Sequence, residues 1–414
     1  MKFVKNDANR KTMKAVILCA GRSTRTYPLT VRRPKALLMT GGKTIIEHIL
    51  DSLEGLADEA VIVVGFGKEQ IIKKLGNRYG NIAIKYAEQE EARGTGHALL
   101  QAEKFLGNDE RFMVLMGDNL YPRDSISECV SYGMSMLGQK VPNPLEFGIV
   151  ESEGGFLTKI TEKPEEATSN LANTGFYVLN GRVFEALKSL EPSARGEYEL
   201  TDAVNTLAKT MRIRCFYTKD WVPIIYPWDL LAANRKILSG IRRRINGKLE
   251  NHATVNGEVV VGSGTEIKSG THIEGPVFIG ENCVIGPNAY IRPDTSIGDN
   301  VRFRGEIVNS IIMDNTTAKH SCYIGHSVIG ENVNIAAGTV TADFRHDGGQ
   351  HAAMIKGRKI ATGLTKLGAF IGDNVRTGIN TSIYPGRKLW PDTTTLPGEI
   401  VTEDKELHEK NQKI

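Results

Sequence analysis

Hydrophobic and polar positions follow one rule in the first half of the chain and another in the second. From Lys14 to about Leu238, short apolar runs alternate with segments whose apolar side chains recur about every 3.6 positions. The runs Ala15–Leu18, Ala60–Val64, Ile82–Tyr86 and Phe112–Met116 are rich in β-branched residues and predict strands, whereas Thr44–Leu56 and Lys68–Leu75 predict amphipathic helices. Strand–helix–strand alternation implies an α/β domain built on a mostly parallel sheet with helices on both faces.

Beyond residue 250 the texture changes. Val255, Val261, Ile267, Ile273, Ile279, Ile285, Ile291, Ile297 and Phe303 stand six residues apart, with Gly, Asn, Asp, Ser and Thr between them. Neither a helical nor an alternating period generates nine positions in such a register. A hexapeptide repeat of aliphatic and turn-forming residues predicts a parallel β-helix, here of the left-handed kind. The register slips after Phe303, resumes with Ile324, Ile329 and Ile335, and is lost from Ala342 to about Lys366, a stretch expected to leave the helix as a loop. The basic segment Arg235–Lys248, with Arg242, Arg243 and Arg244, is expected to form a connecting helix. The expected organisation is a disordered extension over 1–12, an α/β domain over 13–238, a linker helix over 239–250, a β-helix over 251–400 and a tail over 401–414.

Composition narrows the function classes. A chain of 414 residues exceeds one ordinary core, and its 52 basic against 48 acidic side chains leave a net charge of only +4. That balance argues against a nucleic-acid partner and suits ligands carrying several phosphates. Cys19, Cys129, Cys215, Cys283 and Cys322 are scattered, with no C-x-x-C pair, so neither a disulfide framework nor a cysteine zinc site is expected. The polar stretch Met1–Lys14 has no signal-peptide core, Met13 offers a second start, and no apolar run nears the ~20 residues that span a bilayer. A cytoplasmic protein without a membrane partner is expected.

The first predicted strand runs into Gly21-Arg22-Ser23-Thr24-Arg25, with Pro34-Lys35 shortly beyond. Backbone N–H groups of a tight turn beside Arg and Lys make a phosphate site at the carboxyl edge of a parallel sheet, although an ordinary turn with surface cations reads the same way. Neither a G-x-G-x-x-G fingerprint nor a P-loop is present. The stretch LCAGRSTRTYPLTVRRPKALL resembles the signature of the sugar-1-phosphate nucleotidylyltransferases. Further matches follow in the family's order: Gln89, Gly94-Thr95-Gly96-His97-Ala98, Gly117-Asp118, Glu162-Lys163-Pro164, Asn173-Thr174-Gly175 and Tyr226-Pro227-Trp228-Asp229. Ser23 stands where the family usually has Gly.

That resemblance implies a Rossmann-like nucleotidyltransferase domain in which a sugar 1-phosphate attacks the α-phosphorus of a nucleoside triphosphate and pyrophosphate leaves. The nucleophile is already anionic, so the work is positioning and charge neutralisation. The implied catalytic groups are Arg25 and Lys35. The implied nucleotide-binding set is Gly21, Arg22, Ser23, Thr24, Arg25, Lys35, Gln89, Gly94, Thr95 and Asp118, with Gln89 reading a pyrimidine edge. Asp118 and Asp229, two carboxylates at predicted strand ends, are the implied Mg²⁺ ligands. Glu162, Lys163, Asn173 and Gly175 are the implied sugar-binding residues.

In the second half, Ala318-Lys319-His320-Ser321-Cys322-Tyr323-Ile324-Gly325 and Asn332-Val333-Asn334-Ile335-Ala336-Ala337-Gly338-Thr339 resemble a known acetyl-transferring site. It is that of the bifunctional N-acetylglucosamine-1-phosphate uridylyltransferase/glucosamine-1-phosphate acetyltransferases. The resemblance implies His320 as general base on the amino group that attacks acetyl-CoA. It further implies Tyr323, Asn334 and Arg292 around the amino sugar phosphate, Ala337 beside the thioester, and Lys356 as a phosphate contact from the protruding loop. Val308 and Asp343 depart from the bacterial pattern, which has a phosphate-binding Lys and an Asn there, and Ile379 replaces a small residue near the coenzyme. The phosphate is then expected to be held by Lys356, Arg358 or Arg292. UTP and dTTP stay open as nucleotides, N-acetylglucosamine and glucose 1-phosphates as nucleotidyl acceptors, and glucosamine and galactosamine 1-phosphates as acetyl acceptors. The alternative is a single-activity thymidylyltransferase-like enzyme with a structural β-helix. A homotrimer is expected, because β-helix acetyltransferases of this type place the coenzyme between subunits.

Overall fold

The computed structural model describes residues 13–107 and 110–406, so the expected 1–12 extension and most of the expected tail lie outside the described residues. By internal contacts the chain forms two compact units, one comprising residues up to Arg22 and Ile46–Pro223, the other Ser23–Ile45 and Ile224 onward.

The first unit is an α/β structure on a ten-stranded mixed sheet. In chain order its strands are β1 (Met13–Leu18), β2 (Ala57–Val64), β3 (Arg78–Tyr79), β4 (Ile82–Glu88), β5 (Arg111–Met116), β6 (Ser135–Lys140), β7 (Gly148–Glu153), β8 (Phe156–Glu162), β9 (Leu171–Asn180) and β10 (Arg214–Thr218). They lie in the order β7-β8-β10-β6-β9-β5-β1-β2-β4-β3. The parallel heart is β5-β1-β2-β4, where Val16 pairs with Val61 and Val114. These strands are near-continuous aliphatic runs because both faces are covered, and Ile17, Val61, Val63 and Val114 are fully buried. Each such side chain removed from water contributes roughly 1.5–3 kcal/mol. Antiparallel β9 then joins β5 and β6 and turns the sheet mixed. Among the helices, α1 (Ile45–Leu53) is shorter than the expected Thr44–Leu56, whereas α2 (Lys68–Leu75) has the expected bounds.

The second unit is a left-handed β-helix, its coils stacking into three parallel ladders. Residues eighteen positions apart are neighbours, as Val259 with Val277 and Ile267 with Ile285. Their aliphatic side chains fill the interior, with Ile267, Ile273, Ile279, Ile285 and Ile291 fully buried. The slip after Phe303 is a shortened coil: Ile291 pairs with Ile307 and Ile297 with Ile312. Corners turn through left-handed residues, mostly Asn or Asp, among them Asn282, Asp294, Asn300 and Asn309. The stretch from Ala342 to Lys366 carries an antiparallel hairpin, Ala352–Ile355 against Arg358–Ala361, turning at Lys356-Gly357.

Two expectations are corrected. No helix spans 239–250: Arg244–Ile245 and Lys248–Leu249 are the first rung of the β-helix, paired with Val260–Val261 and Glu266–Ile267. A ladder of backbone hydrogen bonds with the next coil outweighs the helical reading of the arginines. Nor is 13–238 one unit, since Ser23–Ile45 rests on the coils. There Arg33 is buried, its guanidinium 2.6 Å from Glu331 and 2.9 Å from Asp373, and Arg32 pairs with Asp392. The helix α3 (Thr95–Leu100) belongs to the first unit, and α4 (Asp229–Leu238) to the second, where Asn234 accepts from Gly41 N–H and Ser296 Oγ.

Candidate active sites

In the first unit β1 ends at Leu18, and the chain passes through buried Cys19 and Ala20 to exposed Gly21 and Arg22. Cys19 accompanies Asp118 at this edge. Burial, then the Asp118 charge, push its thiol far above the ordinary range, so it stays protonated. Asp118 follows β5 through Gly117, whose N–H donates to the Leu18 carbonyl. Arg22 lies over the Phe66 ring, 5.7 Å from its centroid.

Gln89, directly after β4, is buried. Its Nε2 donates to the Gly94 carbonyl at 3.1 Å and meets His97 Nδ1 at 3.0 Å. Burial, then the Arg93 charge, lower the His97 pKa, which keeps the ring neutral and able to accept at Nδ1. The amide is thereby fixed, and Oε1 faces no protein donor among the described residues. Gly94 has φ +102 and a Cβ there would come within 2.6 Å of the Tyr198 carbonyl, so only glycine fits. Thr95 Oγ1 accepts the Leu200 N–H at 3.1 Å, so Thr95 secures α3 as much as it faces a ligand.

At the sugar-side residues, Glu162 ends β8 and meets Arg195 at 3.5 Å. Arg195 also pairs with Glu199, whose carboxyl is pushed up by burial against the pull of that arginine. Neither Arg195 nor Glu199 was expected from sequence. Lys163 adopts φ +44 with its N–H on the Phe147 carbonyl. Asn173 is occupied with its own turn: Oδ1 accepts the Gly175 N–H at 3.0 Å and Nδ2 donates to Tyr177 Oη. It shapes the Asn-Thr-Gly bend where β9 departs from regular pairing.

In the second unit, Ser23 has φ +50, a left-handed conformation that explains the glycine usual at this position. Its carbonyl accepts from Thr26 Oγ1 at 2.7 Å and Thr30 Oγ1 at 2.8 Å, which closes the loop. Thr24 is partly buried and Arg25 exposed. Lys35 is buried and donates to the Ile224 carbonyl at 2.7 Å. Asp229 is not at a strand end: it opens α4, and its Oδ2 accepts the N–H groups of Ile225 (2.8 Å) and Tyr226 (2.7 Å). A cavity of about 630 Å³ is lined by Thr24, Tyr27, Lys356, Arg387, Lys388 and Trp390, which brings Lys356 of the hairpin beside Thr24.

On the β-helix, His320 is exposed at the corner before the strand Tyr323–Gly325. The same corner continues one coil on, where Gly338 N–H donates to the Ser321 carbonyl, and again where Asn380 N–H donates to that of Ala337. His320, Ala337 and Ile379 therefore share one stacked edge. Asn334 lies on the adjoining face and accepts from Thr317 Oγ1 at 2.9 Å. Arg292 pairs with Glu306 at 2.9 Å. Tyr323 donates to Asp343 Oδ2 at 3.0 Å, and His326 Nδ1 reaches the same oxygen at 2.6 Å. Burial, then the Asp343 charge, push the Tyr323 phenol up to about 12, so it is a donor. Burial alone would raise Asp343, but hydrogen bonds from His326 and Tyr323 outweigh it and hold the carboxyl below its ordinary value. A Cβ on Gly325 would fall 2.5 Å from Asp343 Oδ2 and 2.7 Å from Tyr323 Oη, so the glycine leaves room for this cluster. Sequence reasoning had noted Asp343 only as a departure and had passed over His326.

Among the described residues no helix is long and apolar enough to cross a membrane. All five cysteines are free and buried. Residues 14–240 match the model of the nucleotidyl transferase family, and 272–384 match that of the GMPPB C-terminal domain. A Methanococcus maripaludis (strain C7) protein named bifunctional protein GlmU is 44% identical over 402 residues, covering 95% of this chain and 96% of its own. A Sulfurisphaera tokodaii protein named bifunctional sugar-1-phosphate nucleotidylyltransferase/acetyltransferase is 39% identical, covering 95% and 98%. A solved Bacillus anthracis structure, described as a glucose-1-phosphate thymidylyltransferase with a sucrose, matches with TM-score 0.50 at 32% identity, covering 54% of this chain and 94% of that one.

Proposed function

The chain belongs to the bifunctional sugar-1-phosphate nucleotidylyltransferase/acetyltransferase family, and from that membership we propose that it makes a nucleotide-activated N-acetylhexosamine in two steps. In the first, an amino-sugar 1-phosphate is acetylated. Its amine attacks the acetyl-CoA carbonyl, His320 takes the amine's proton, and as the C–S bond breaks that proton passes to the departing sulfur, so CoA leaves as the thiol. Tyr323, Asn334 and Arg292 hold the sugar phosphate, and the backbone at Ala337 lies beside the thioester. In the second, a phosphate oxygen of the product attacks the α-phosphorus of UTP or dTTP and pyrophosphate leaves. Gly21 to Arg25 and Lys35 neutralise and orient the triphosphate. Glu162, Lys163, Asn173 and Gly175 form the sugar side.

The observation that carries the nucleotide choice is the fixed amide of Gln89. With Nε2 committed to Gly94 and His97, its Oε1 is an acceptor for the N3–H of uracil or thymine. Cytosine has an acceptor at N3 and is refused. Hard carboxylate oxygens on Asp118 and Asp229 suit Mg²⁺, which when bound supplies positive charge to the phosphates. Among the described residues no group of three or more His, Cys, Asp or Glu forms a cage, and an ion that keeps several waters and phosphate ligands needs none. The single-activity alternative is disfavoured by relatives named as bifunctional along nearly their whole length. Five free thiols and phosphorylated substrates suit a cytoplasmic enzyme, and the stacked edge at His320, Ala337 and Ile379 suits a coenzyme shared in a homotrimer.

The test is a matrix of nucleoside triphosphates against sugar 1-phosphates read by pyrophosphate release, beside CoA release from acetyl-CoA with amino-sugar phosphates. His320→Ala should lower CoA release by ~100-fold or more and leave pyrophosphate release unchanged. Lys35→Ala should do the reverse. Absence of pyrophosphate release with UTP and dTTP, or of CoA release with every amino-sugar phosphate, sinks the corresponding half.

A further inference from the structure

His326 occupies a left-handed corner, with φ +49. In the two coils before it that corner is filled by Asp294 and Asn309, and each N–H donates to a carbonyl of the preceding coil: Asp294 to Pro276, Asn309 to Pro293, and in turn His326 to Val308 at 3.0 Å. Asn and Asp tolerate this conformation better than an imidazole does, so the histidine breaks the local rule of its own column. Breaks of this kind are frequent at functional positions. The backbone is fixed from both sides, since the His326 carbonyl also accepts the Gly368 N–H at 2.9 Å. Asn309 in the same column has a buried Oδ1 without a hydrogen-bond partner.

The ring is held as firmly. Asp343 is a carboxylate and can only accept, so the Nδ1 at 2.6 Å must carry a proton, and the two side chains are only 12% and 11% exposed. No protein hydrogen bond engages Nε2 among the described residues. The other charged and titratable groups acting on this cluster are Lys366, near Asp343, with Arg292 and Glu306, near Tyr323. Arg292 shares its guanidinium with Glu306 and Val308 supplies no charge, so the phosphate has room for a further donor beside Arg292. His320 and His326 flank the strand Tyr323–Gly325 from opposite ends.

We propose that His326 binds the phosphate of the amino-sugar 1-phosphate through Nε2, with Asp343 and Tyr323 as its positioning residues. The inference rests on the acetyl-transfer reading above. With the amine at the His320 end of the strand, the phosphate lies toward the other end. There the outward Nε2 of His326, its ring oriented by the Nδ1–Asp343 bond and Asp343 held in turn by Tyr323, offers a donor in place of a lysine.

The experiment measures CoA release by the full chain with glucosamine 1-phosphate and with free glucosamine. Pyrophosphate release serves as the check that each variant is folded. His326→Gln should raise KM for the phosphorylated acceptor at least tenfold, change kcat less than threefold, and leave the weak reaction with free glucosamine unaltered. His326→Lys should restore most of the KM. A fall in kcat at unchanged KM would make His326 a proton carrier and overturn the proposal, as would equal losses on both acceptors or no change at all. If the unsubstituted chain releases no CoA with any amino-sugar phosphate, the acetyl-transfer reading fails and this inference with it, a result distinct from the variant outcomes. If His326→Gln loses pyrophosphate release, His326→Lys decides alone: wild-type KM supports the proposal and a tenfold rise on both acceptors refutes it.

Discussion

The sheet unit and the coil unit place functional side chains by opposite means. In the sheet unit each candidate residue hangs on its own loop at a strand end, so Gln89, Asp118 and Glu162 owe their positions to separate local devices. Gly94 and His97 hold the first, Gly117 the second and Arg195 the third. In the coil unit position follows from arithmetic, because one coil later in sequence means one neighbour further along a ladder. Tyr323 stacks on Glu306 and Val340 for no reason but their spacing. A site on a sheet edge is therefore repaired or broken residue by residue, whereas a site on a β-helix inherits the regularity of its scaffold.

That contrast is most exposed to test in Ser23–Ile45, which carries the nucleotide signature yet rests on the coils. Arg33→Met would leave Glu331 and Asp373 facing a buried apolar chain. Losing one partner of a buried pair costs about 3–5 kcal/mol, and the partial exposure of Glu331 lowers this to about 2–4 kcal/mol. Urea unfolding should show that loss, and a change below about 0.5 kcal/mol would mean the segment is not anchored there. The local character of the sheet site predicts a smaller, confined effect. Gln89→Leu should lower kcat/KM for UTP and dTTP by roughly ten- to a hundredfold, the cost of about one to two hydrogen bonds, with CoA release untouched. The smallest effect belongs to Ser23. Gly accepts φ +50 without strain, so Ser23→Gly should gain about 0.5 kcal/mol net of chain entropy, seen as a slight rise in Tm.

Much of the fold was legible because burial enforces period. The aliphatic runs of β1, β2 and β5 and the six-residue register each reflect side chains that must face inward. The first rung is less legible although Leu249 stands six residues before Val255, because Arg242, Arg243 and Arg244 beside it lack the aliphatic and turn-forming texture of the later coils. The resting place of Ser23–Ile45 was illegible, since Arg33 meets Glu331 and Asp373 only through tertiary contact across some three hundred positions. Motif order singles out Gln89, Lys35 and His320 as candidates, but Asn173 spends its amide on the Gly175 N–H and Tyr177 Oη and Thr95 its hydroxyl on the Leu200 N–H, which spacing does not reveal. His326 carried a readable signal: a histidine in a column of corners otherwise held by Asp294 and Asn309.

The Arg33 anchorage also limits how this polypeptide can be divided. A fragment cut after the last helix before the coils would retain Arg32 and Arg33 but lose the carboxylates that pair with them. Exchange of either half with a foreign one would need a matching pair of acids at the places of Glu331 and Asp373.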